Sequence, residues 1–441
     1  MVGYMALMDT WERRDTGYML VLVGIFVIAC LYDIRLIEVP VFDEAYTLPA
    51  VRSLLAGLPS LEVSHPPISK LGMALGTWLT GGSKDWAGIA CGSRLASIVV
   101  GAVGLAAMYG IGFLTQGRKV AVLATILLGA DGMYFVMSRT AMTNIYGVTF
   151  ALLGALGLVL AVRRNQPAWV GVAGIAFGLA VASRWSAAVA CIVLGGALLI
   201  HKPRWFPALV LAALGTYYLA FFPANPFQFV EAQRFMAVVH TMPLEPNPFN
   251  TPWWTLPLLL RPSWFYFGEL PASHQVYGIF AVGNVWIWWL SVPALVWAVW
   301  QKNMPLRIAG VWGLAAWLIW APGASNYLLT HYFFEAVPAA CLAIAAVVAR
   351  AGGPIMIAYM TLVLVWMVQF YPMLVGRPMS LPAYESRLLL GVARWDFAHR
   401  INDFHKELGL DTPQKIKDYE AKNAPSFIEY IRRVDEAQRR R

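Results

Sequence analysis

Apolar residues in this chain occur in long unbroken runs of roughly 16–25 residues, separated by short polar segments. Such runs predict transmembrane helices, because a helix satisfies its backbone hydrogen bonds within one segment of a bilayer. The strands of a transmembrane barrel would alternate with a period of two. The pattern therefore predicts an all-α polytopic membrane protein with about eleven spans. The predicted spans are residues 17–37, 88–114, 119–138, 145–163, 168–183, 186–201, 206–222, 276–300, 305–321, 331–349 and 353–374.

Composition agrees with a membrane location. Of the 441 residues, 59% are hydrophobic and 13% are charged, about half the charged share of a soluble domain. A water-soluble globule cannot bury that much apolar surface, so the lipid bilayer is the expected environment. The net charge of +9 would suggest nucleic acid in a soluble protein. Here the positions of the charges matter more than their sum, and no nucleic-acid partner is expected.

The basic residues predict the orientation. Arg13 and Arg14 precede the first apolar run, and alternate short loops carry further Arg and Lys residues. By the positive-inside rule this face is cytoplasmic. The opposite, external face then carries the long segments 38–87 and 223–275. No convincing small-residue cleavage site follows the first run, which is expected to be a retained span.

The distribution of charge also divides the chain. Residues 1–375 are predicted to form the transmembrane domain, and 376–441 a soluble, charged tail. Two amphipathic helices, at about 383–408 and 412–439, are expected in this tail.

A carboxylate doublet, Asp43-Glu44, follows the first span, and His65 lies about twenty residues further on. Acidic residues are scarce here, and two at a membrane surface are costly to keep dry, so they are candidates for chemistry. The doublet is also compatible with a solvated loop pair or a helix cap, and His65 with a turn before two prolines. A divalent metal held by these three residues is conceivable, but their spacing matches no metal motif. No metal or other cofactor is expected.

Two arginines on the predicted external face are further candidates. Arg139 ends one span, and Arg184 lies between two spans with almost no loop. Either side chain is long enough to snorkel to the interface. Both also suit an anionic, lipid-borne ligand, because a guanidinium binds phosphate through two parallel hydrogen bonds and stays charged near lipid. Residues 248–267 are rich in Trp and Pro and fit an interfacial aromatic belt, although such rings also stack on sugars.

Seven elements occur in an order that resembles the protein O-mannosyltransferase family, whose members have the membrane glycosyltransferase fold called GT-C. The likeness runs from about residue 40 to 340. The architecture resembles that of the compact prokaryotic members. The elements are Asp43-Glu44, His65–Leu71, Asp131-Gly132 with Ser138-Arg139, Gly174–Trp185, Pro252–Pro262, Gly283-Asn284 with Trp288-Trp289, and His331-Tyr332-Phe333.

The chain departs from the family pattern at several positions. Asn144 stands where the family usually has Asp, and Arg184 where it has Lys. Val285 replaces a proline, and Thr330 replaces a tyrosine. The segment 223–275 is too short for the β-trefoil domain of the eukaryotic enzymes, which favours a prokaryotic plasma membrane.

The resemblance implies inverting transfer of mannose from a polyprenyl (dolichyl) phosphate to a Ser or Thr hydroxyl of a secreted or membrane protein, at the external face. Asp43 is then the base, and Glu44 either orients it or contacts the acceptor. Arg139 is the leading candidate for the implied donor phosphate and sugar site. The other candidates are Arg184, His65, Arg261, His331, Asn144 and Trp253.

Two alternatives stay open at this point. A GT-C enzyme of this kind could transfer another polyprenyl-linked sugar to a lipid or glycan. Intramembrane charge would also serve a transporter or lipid flippase, although the sequence shows no internal repeat. The residues do not indicate an oligomeric state.

Overall fold

The computed structural model of the chain describes residues 10–60, 62–82, 85–222, 229–241, 248–321, 328–390 and 392–423. The described chain is predominantly helical, as the apolar runs predict. Its amino-terminal half contains ten helices within these residues. They are α1 (Arg13–Leu31), α2 (Glu44–Leu55), α3 (Ile68–Leu79), α4 (Trp86–Gln116), α5 (Arg118–Gly129), α6 (Gly132–Arg139), α7 (Thr143–Arg164), α8 (Ala168–Val181), α9 (Ala188–His201) and α10 (Phe206–Leu219).

The second half of the described chain adds nine helices and a small sheet. The helices are α11 (Phe229–Thr241), α12 (Val285–Val299), α13 (Met304–Leu318), α14 (Val337–Arg350), α15 (Gly353–Val375), α16 (Leu381–Glu385), α17 (Val392–Trp395), α18 (Phe397–Glu407) and α19 (Pro413–Asn423). The antiparallel strands are β1 (Ser263–Leu270), β2 (Gln275–Ala281) and β3 (Met379–Ser380), in that order. A seven-residue 3-10 turn, Thr330–Ala336, leads into α14.

Each predicted span contains a helix, but the count of eleven spans is not confirmed. Five described helical segments are long and apolar enough to cross a bilayer, or six if the α5–α6 pair, bent by 64°, forms one span. Others are short: α8 and α10 have 14 residues each. At 1.5 Å per residue such helices are about 21 Å long, less than the ~30 Å hydrocarbon core.

The predicted span 276–300 begins too early. Its first residues form β2, and the helix begins only at Val285, where the Asn284 side chain accepts a hydrogen bond from the Trp286 amide at 3.2 Å. The apolar run hid this change, because a buried strand and a buried helix look alike by hydropathy. In the tail the predicted helix 383–408 is broken into three short ones, α16–α18. The second predicted helix begins as α19, and residues 424–439 lie outside the described chain.

A buried carboxylate joins the two halves of the helical core. Asp131 accepts hydrogen bonds from the Trp288 indole at 2.8 Å and from the amides of Asn284 and Tyr134, each at 3.0 Å. Gly283 allows this close approach, since an added Cβ would lie 1.8 Å from the Trp288 Nε1 atom. Two of the seven sequence elements, Asp131-Gly132 and Gly283-Asn284, therefore have a structural role, because they tie the start of α6 to the start of α12.

Candidate active site

Polar side chains from four separate segments meet beside the start of α2. Arg184, in the link between α8 and α9, lies at the centre. Its Nη1 atom lies 3.2 Å from Asn144 Oδ1 and 3.5 Å from His65 Nε2. Its Nε atom donates to Ser186 Oγ at 3.1 Å. The structure thus brings together His65, Asn144 and Arg184, which lie in three separate segments of the sequence.

Asp43 directly precedes α2 and faces this cluster. Its backbone carbonyl caps the helix by accepting from the Thr47 amide at 2.9 Å. Its partly buried carboxylate makes no hydrogen bond or ion pair with any residue that the structure describes. Burial raises the pKa of Asp43, and the nearby positive charge of Arg184 only partly opposes that effect. Asp43 is therefore an unengaged carboxylate with increased proton affinity, which suits a base.

Glu44, the second member of the doublet, points elsewhere. It is fully buried and bound on both oxygens by Arg94, at 2.6 Å and 2.9 Å. The amides of Val41 and Ala141 also donate to it, at 3.0 Å and 2.8 Å. This arrangement favours Glu44 as the orienting neighbour of Asp43, because it ties the start of α2 to the segment after α6. Both oxygens of this buried carboxylate are occupied, so neither is available to contact the acceptor.

We expect Glu44→Gln to destabilise the protein by about 3–5 kcal/mol, because it leaves the buried Arg94 without a compensating charge. Thermal unfolding of purified protein in detergent measures this loss. Asp33→Asn serves as the matched control, since its ion pair with Arg377 is partly exposed and should contribute little. Equal melting temperatures for Glu44→Gln and the wild type would contradict the structural role of Glu44.

Sequence reasoning missed the second ion pair of this region. The buried Lys70 ammonium donates to Glu62 Oε2 at 2.5 Å and to the carbonyls of Glu62 and His65, each at 2.7 Å. A lysine inside the apolar helix α3 was a usable signal, because a fully buried lysine needs a partner. Glu62 is the only carboxylate between Glu44 and Asp85 in the sequence.

An aromatic wall closes one side of the cluster. The rings of Phe42 and Phe265 stack with centroids 4.4 Å apart, and the buried His331 ring lies edge-on to both. His331 Nδ1 has no hydrogen-bond partner among the described residues. Arg184 also lies over the Tyr332 ring at 5.7 Å.

A further carboxylate, missed in the sequence, borders the cluster from the same turn as His331. Glu335 accepts a hydrogen bond from Ser186, and its Oε1 atom lies 4.0 Å from Arg184 Nε. The sequence alone does not place Glu335 beside Ser186, because 149 residues separate the two.

Three predicted site residues lie in other surroundings. The Arg139 guanidinium donates to the carbonyls of Tyr32 at 3.1 Å and Leu374 at 3.4 Å, and its buried Nε atom has no partner in the described chain. Arg261 donates to the Asn250 carbonyl at 3.1 Å. Trp253 packs on Trp317, with ring centroids 5.6 Å apart. No hydrogen bond or ion pair joins these three to Asp43, His65 or Arg184 among the described residues.

The conceivable metal set of Asp43, Glu44 and His65 is not assembled, because Glu44 faces Arg94. Within the described ranges, no group of three or more His, Cys, Asp or Glu side chains is placed to hold a metal ion. That the reaction needs no metal stays a prediction.

Comparisons with known proteins agree with the fold and the motifs. The sequence profile of the family described as dolichyl-phosphate-mannose-protein mannosyltransferase matches residues 64–227. Curated polyprenol-phosphate-mannose–protein mannosyltransferases are 23% identical: one from Mycolicibacterium smegmatis, covering 80% of this chain and 87% of the relative, and one from Corynebacterium glutamicum, covering 87% and 94%.

Solved structures share the architecture. The protein O-mannosyltransferase Pmt1–Pmt2 complex of Saccharomyces cerevisiae, bound to the sugar donor, matches with a TM-score of 0.76 at 12% identity, over 90% of this chain and 94% of that chain. ArnT of Cupriavidus metallidurans, bound to undecaprenyl phosphate, matches with a TM-score of 0.59 at 16% identity, over 88% and 75%.

The described chain has the GT-C fold of integral membrane glycosyltransferases. Within that class, the ordered sequence elements, the family profile over residues 64–227 and the curated relatives at 23% identity all make the chain similar to the protein O-mannosyltransferases.

Proposed function

We propose that this enzyme transfers mannose from a polyprenyl-phosphate donor to a Ser or Thr hydroxyl of a protein, with inversion at the anomeric carbon. The curated relatives carry names that specify this donor and a protein acceptor. The site supplies groups suited to both halves of the reaction, a carboxylate for the hydroxyl and cationic side chains for the phosphate.

Asp43 acts as the base in this proposal. Its carboxylate takes the proton of the acceptor hydroxyl while the hydroxyl oxygen bonds to the anomeric carbon. The bond from that carbon to the phosphate oxygen breaks at the same time, and the polyprenyl phosphate leaves with the electron pair. Inversion needs one such base, placed opposite the leaving group.

Arg184 and His65 are proposed to hold the donor phosphate. A phosphate leaving group departs as an anion, so it needs positive charge more than a proton. A forked guanidinium beside an imidazole offers several donors to its oxygens. Arg139 was the leading candidate from the resemblance, and its unpartnered Nε atom keeps it a candidate for the same anion. The proximity of Arg184 to His65 makes Arg184 the stronger one.

A single observation carries the proposal: Asp43 is a carboxylate with no partner in the described chain, and Arg184 lies close enough for its charge to lower the pKa of Asp43. A structural acidic residue at this depth would be expected to have its hydrogen bonds satisfied, as Glu44 does.

We further propose that the reaction takes place at the external face of a prokaryotic plasma membrane. The basic residues of the short loops support this orientation. Asp43, His65 and Arg184 all lie in segments that the charge pattern places outside.

The direct test is incubation of the purified protein with labelled polyprenyl-phosphate mannose and a Ser/Thr-rich peptide. A peptide that carries α-linked mannose after incubation with a β-linked donor supports the proposal. Transfer only to lipid or glycan acceptors, or only from another polyprenyl-linked sugar, would refute the acceptor or donor assignment. Movement of intact donor between leaflets without any product would refute the enzyme reading.

A further inference from the structure

Glu62 contacts His65 and Lys70 at the same time. Its Oε1 atom accepts from the His65 amide at 3.0 Å and lies 3.3 Å from His65 Nδ1. Its Oε2 atom accepts from Lys70. The side chain is buried, and Ser64 Oγ lies 3.0 Å from the same His65 Nδ1 atom. Glu62 therefore holds the ring of His65 from the side that faces away from Arg184.

This contact determines which ring nitrogen carries the proton. Burial acts to raise the pKa of Glu62, but the Lys70 charge and the hydrogen bonds from His65 and Lys70 outweigh it and hold that pKa well below its usual range. An ionised carboxylate accepts hydrogen bonds only, so the proton of neutral His65 lies on Nδ1. The free lone pair on Nε2 then faces Arg184 Nη1, 3.5 Å away.

The charged and titratable groups around His65 come from every neighbouring element. Negative charge comes from Glu62 in its own loop and from Asp43 at the start of α2. Lys70 of α3 donates to the His65 carbonyl, Arg184 faces Nε2, and the His240 ring of α11 lies 5.7 Å away. The buried His331, in the turn before α14, lies close enough to interact electrostatically with His65.

We propose that Glu62 is a positioning residue for the donor site and acts through His65. Its carboxylate fixes the Nδ1 proton and aims Nε2 at the place where an anionic phosphodiester would lie against Arg184. When the phosphodiester binds, Nε2 takes up one proton from solvent and donates it in a hydrogen bond to a phosphate oxygen. Glu62 then stabilises the imidazolium from the other side. This inference rests on the donor-site assignment made under the proposed function.

The arrangement resembles metal sites in which a carboxylate holds one ring nitrogen of a histidine and so orients the other nitrogen toward the metal. Without an anion, protonation of Nε2 would place an N–H group against the guanidinium of Arg184. With an anion between them, both cations gain a common acceptor. Binding and proton uptake are therefore coupled, and phosphodiester affinity should fall as pH rises through the range in which a histidine titrates.

The test measures binding of a short-chain prenyl methyl phosphate to the full-length protein in detergent, between pH 6 and 8.5. A diester is the right probe, because the second proton of a phosphate monoester leaves near pH 6 and would confuse the result. We expect wild-type affinity to fall by up to about tenfold per pH unit wherever binding takes up one proton, and to level off at a pH where neither the free protein nor the complex holds that proton. His65→Asn should bind weakly and without this pH dependence.

Glu62→Gln should bind about tenfold more weakly at pH 6, with the fall in affinity beginning at lower pH. The same change strands the buried Lys70 ammonium and endangers folding. The matched variant is Glu62→Gln with Lys70→Met, which removes both charges of the pair. We expect this double variant to recover wild-type thermal stability and to keep the weakened, acid-shifted binding.

Two results would overturn the inference. Wild-type affinity and pH profile in the double variant would mean that Glu62 serves only the ion pair. An unchanged pH profile in His65→Asn would mean that another group takes up the proton, and this comparison holds even if both Glu62 variants fail to fold. The probe carries no sugar and the assay measures no transfer. The binding result can therefore be interpreted even if the enzyme does not transfer mannose.

Discussion

Asp43→Asn should lower sugar transfer at least ~10²-fold while the protein stays folded, because loss of a positioned general base costs this much or more. Asparagine has the same shape and keeps the backbone cap at the start of α2, so the change removes the proton acceptor alone. Initial rates of peptide glycosylation at saturating donor measure the effect, and thermal unfolding checks the fold.

Glu44→Gln is the informative comparison for this variant. It should lose stability, whereas Asp43→Asn should lose turnover and keep its melting temperature. Donor binding by Asp43→Asn should be close to wild type, since the carboxylate acts on the acceptor. Wild-type turnover in Asp43→Asn would remove Asp43 from the mechanism.

The pH dependence of transfer supplies a second check on Asp43. The base must be ionised, so the rate falls as pH falls through its pKa, and burial raises that pKa. An exposed aspartate titrates at about pH 4. The acidic limb of the rate profile should therefore lie at a higher pH than this. This limb should be absent from the residual activity of Asp43→Asn.

The fold class could be predicted from the sequence for a clear physical reason. A long apolar run has few stable solutions in a bilayer, so the existence of α4, α7 and α15 follows from hydropathy alone. Length is a weaker guide, because helices such as α8 are too short to be counted as spans with certainty from composition. The β1–β2 hairpin was missed, because its second strand lies inside an apolar run and has no alternating polar face.

Side-chain partnerships were harder to predict than the polar residues themselves. Asp43 and Glu44 are neighbours in sequence, yet one faces the candidate site and the other a buried arginine, and only the packing of α4 against α2 decides this. Glu62 was overlooked because its importance comes from Lys70, eight residues away, and from the ring of His65. Motif order thus selects the candidate residues, and burial separates the unengaged Asp43 from the paired Glu44.

Arg184→Gln should lower transfer at least ~10²-fold, the usual cost of removing a charged group that stabilises a developing anion. The glutamine side chain keeps much of the length and polarity but has no positive charge. The effect should appear mainly as lower turnover at saturating donor, because the negative charge on the phosphate grows as the bond breaks. Titration of donor at fixed peptide separates this from weaker donor binding, which would raise the donor concentration needed for half-maximal rate.

Arg184→Lys is the matched control, since the related family usually has lysine at this position. A lysine keeps the charge but loses the fork that reaches Asn144 and Ser186. We expect activity within about tenfold of wild type for Arg184→Lys. Arg139→Gln in the same assay tests the assignment that the resemblance favoured. If the phosphate lies beside His65, the defect of Arg184→Gln exceeds that of Arg139→Gln; the reverse order would move the phosphate to the pocket formed by Tyr32 and Leu374.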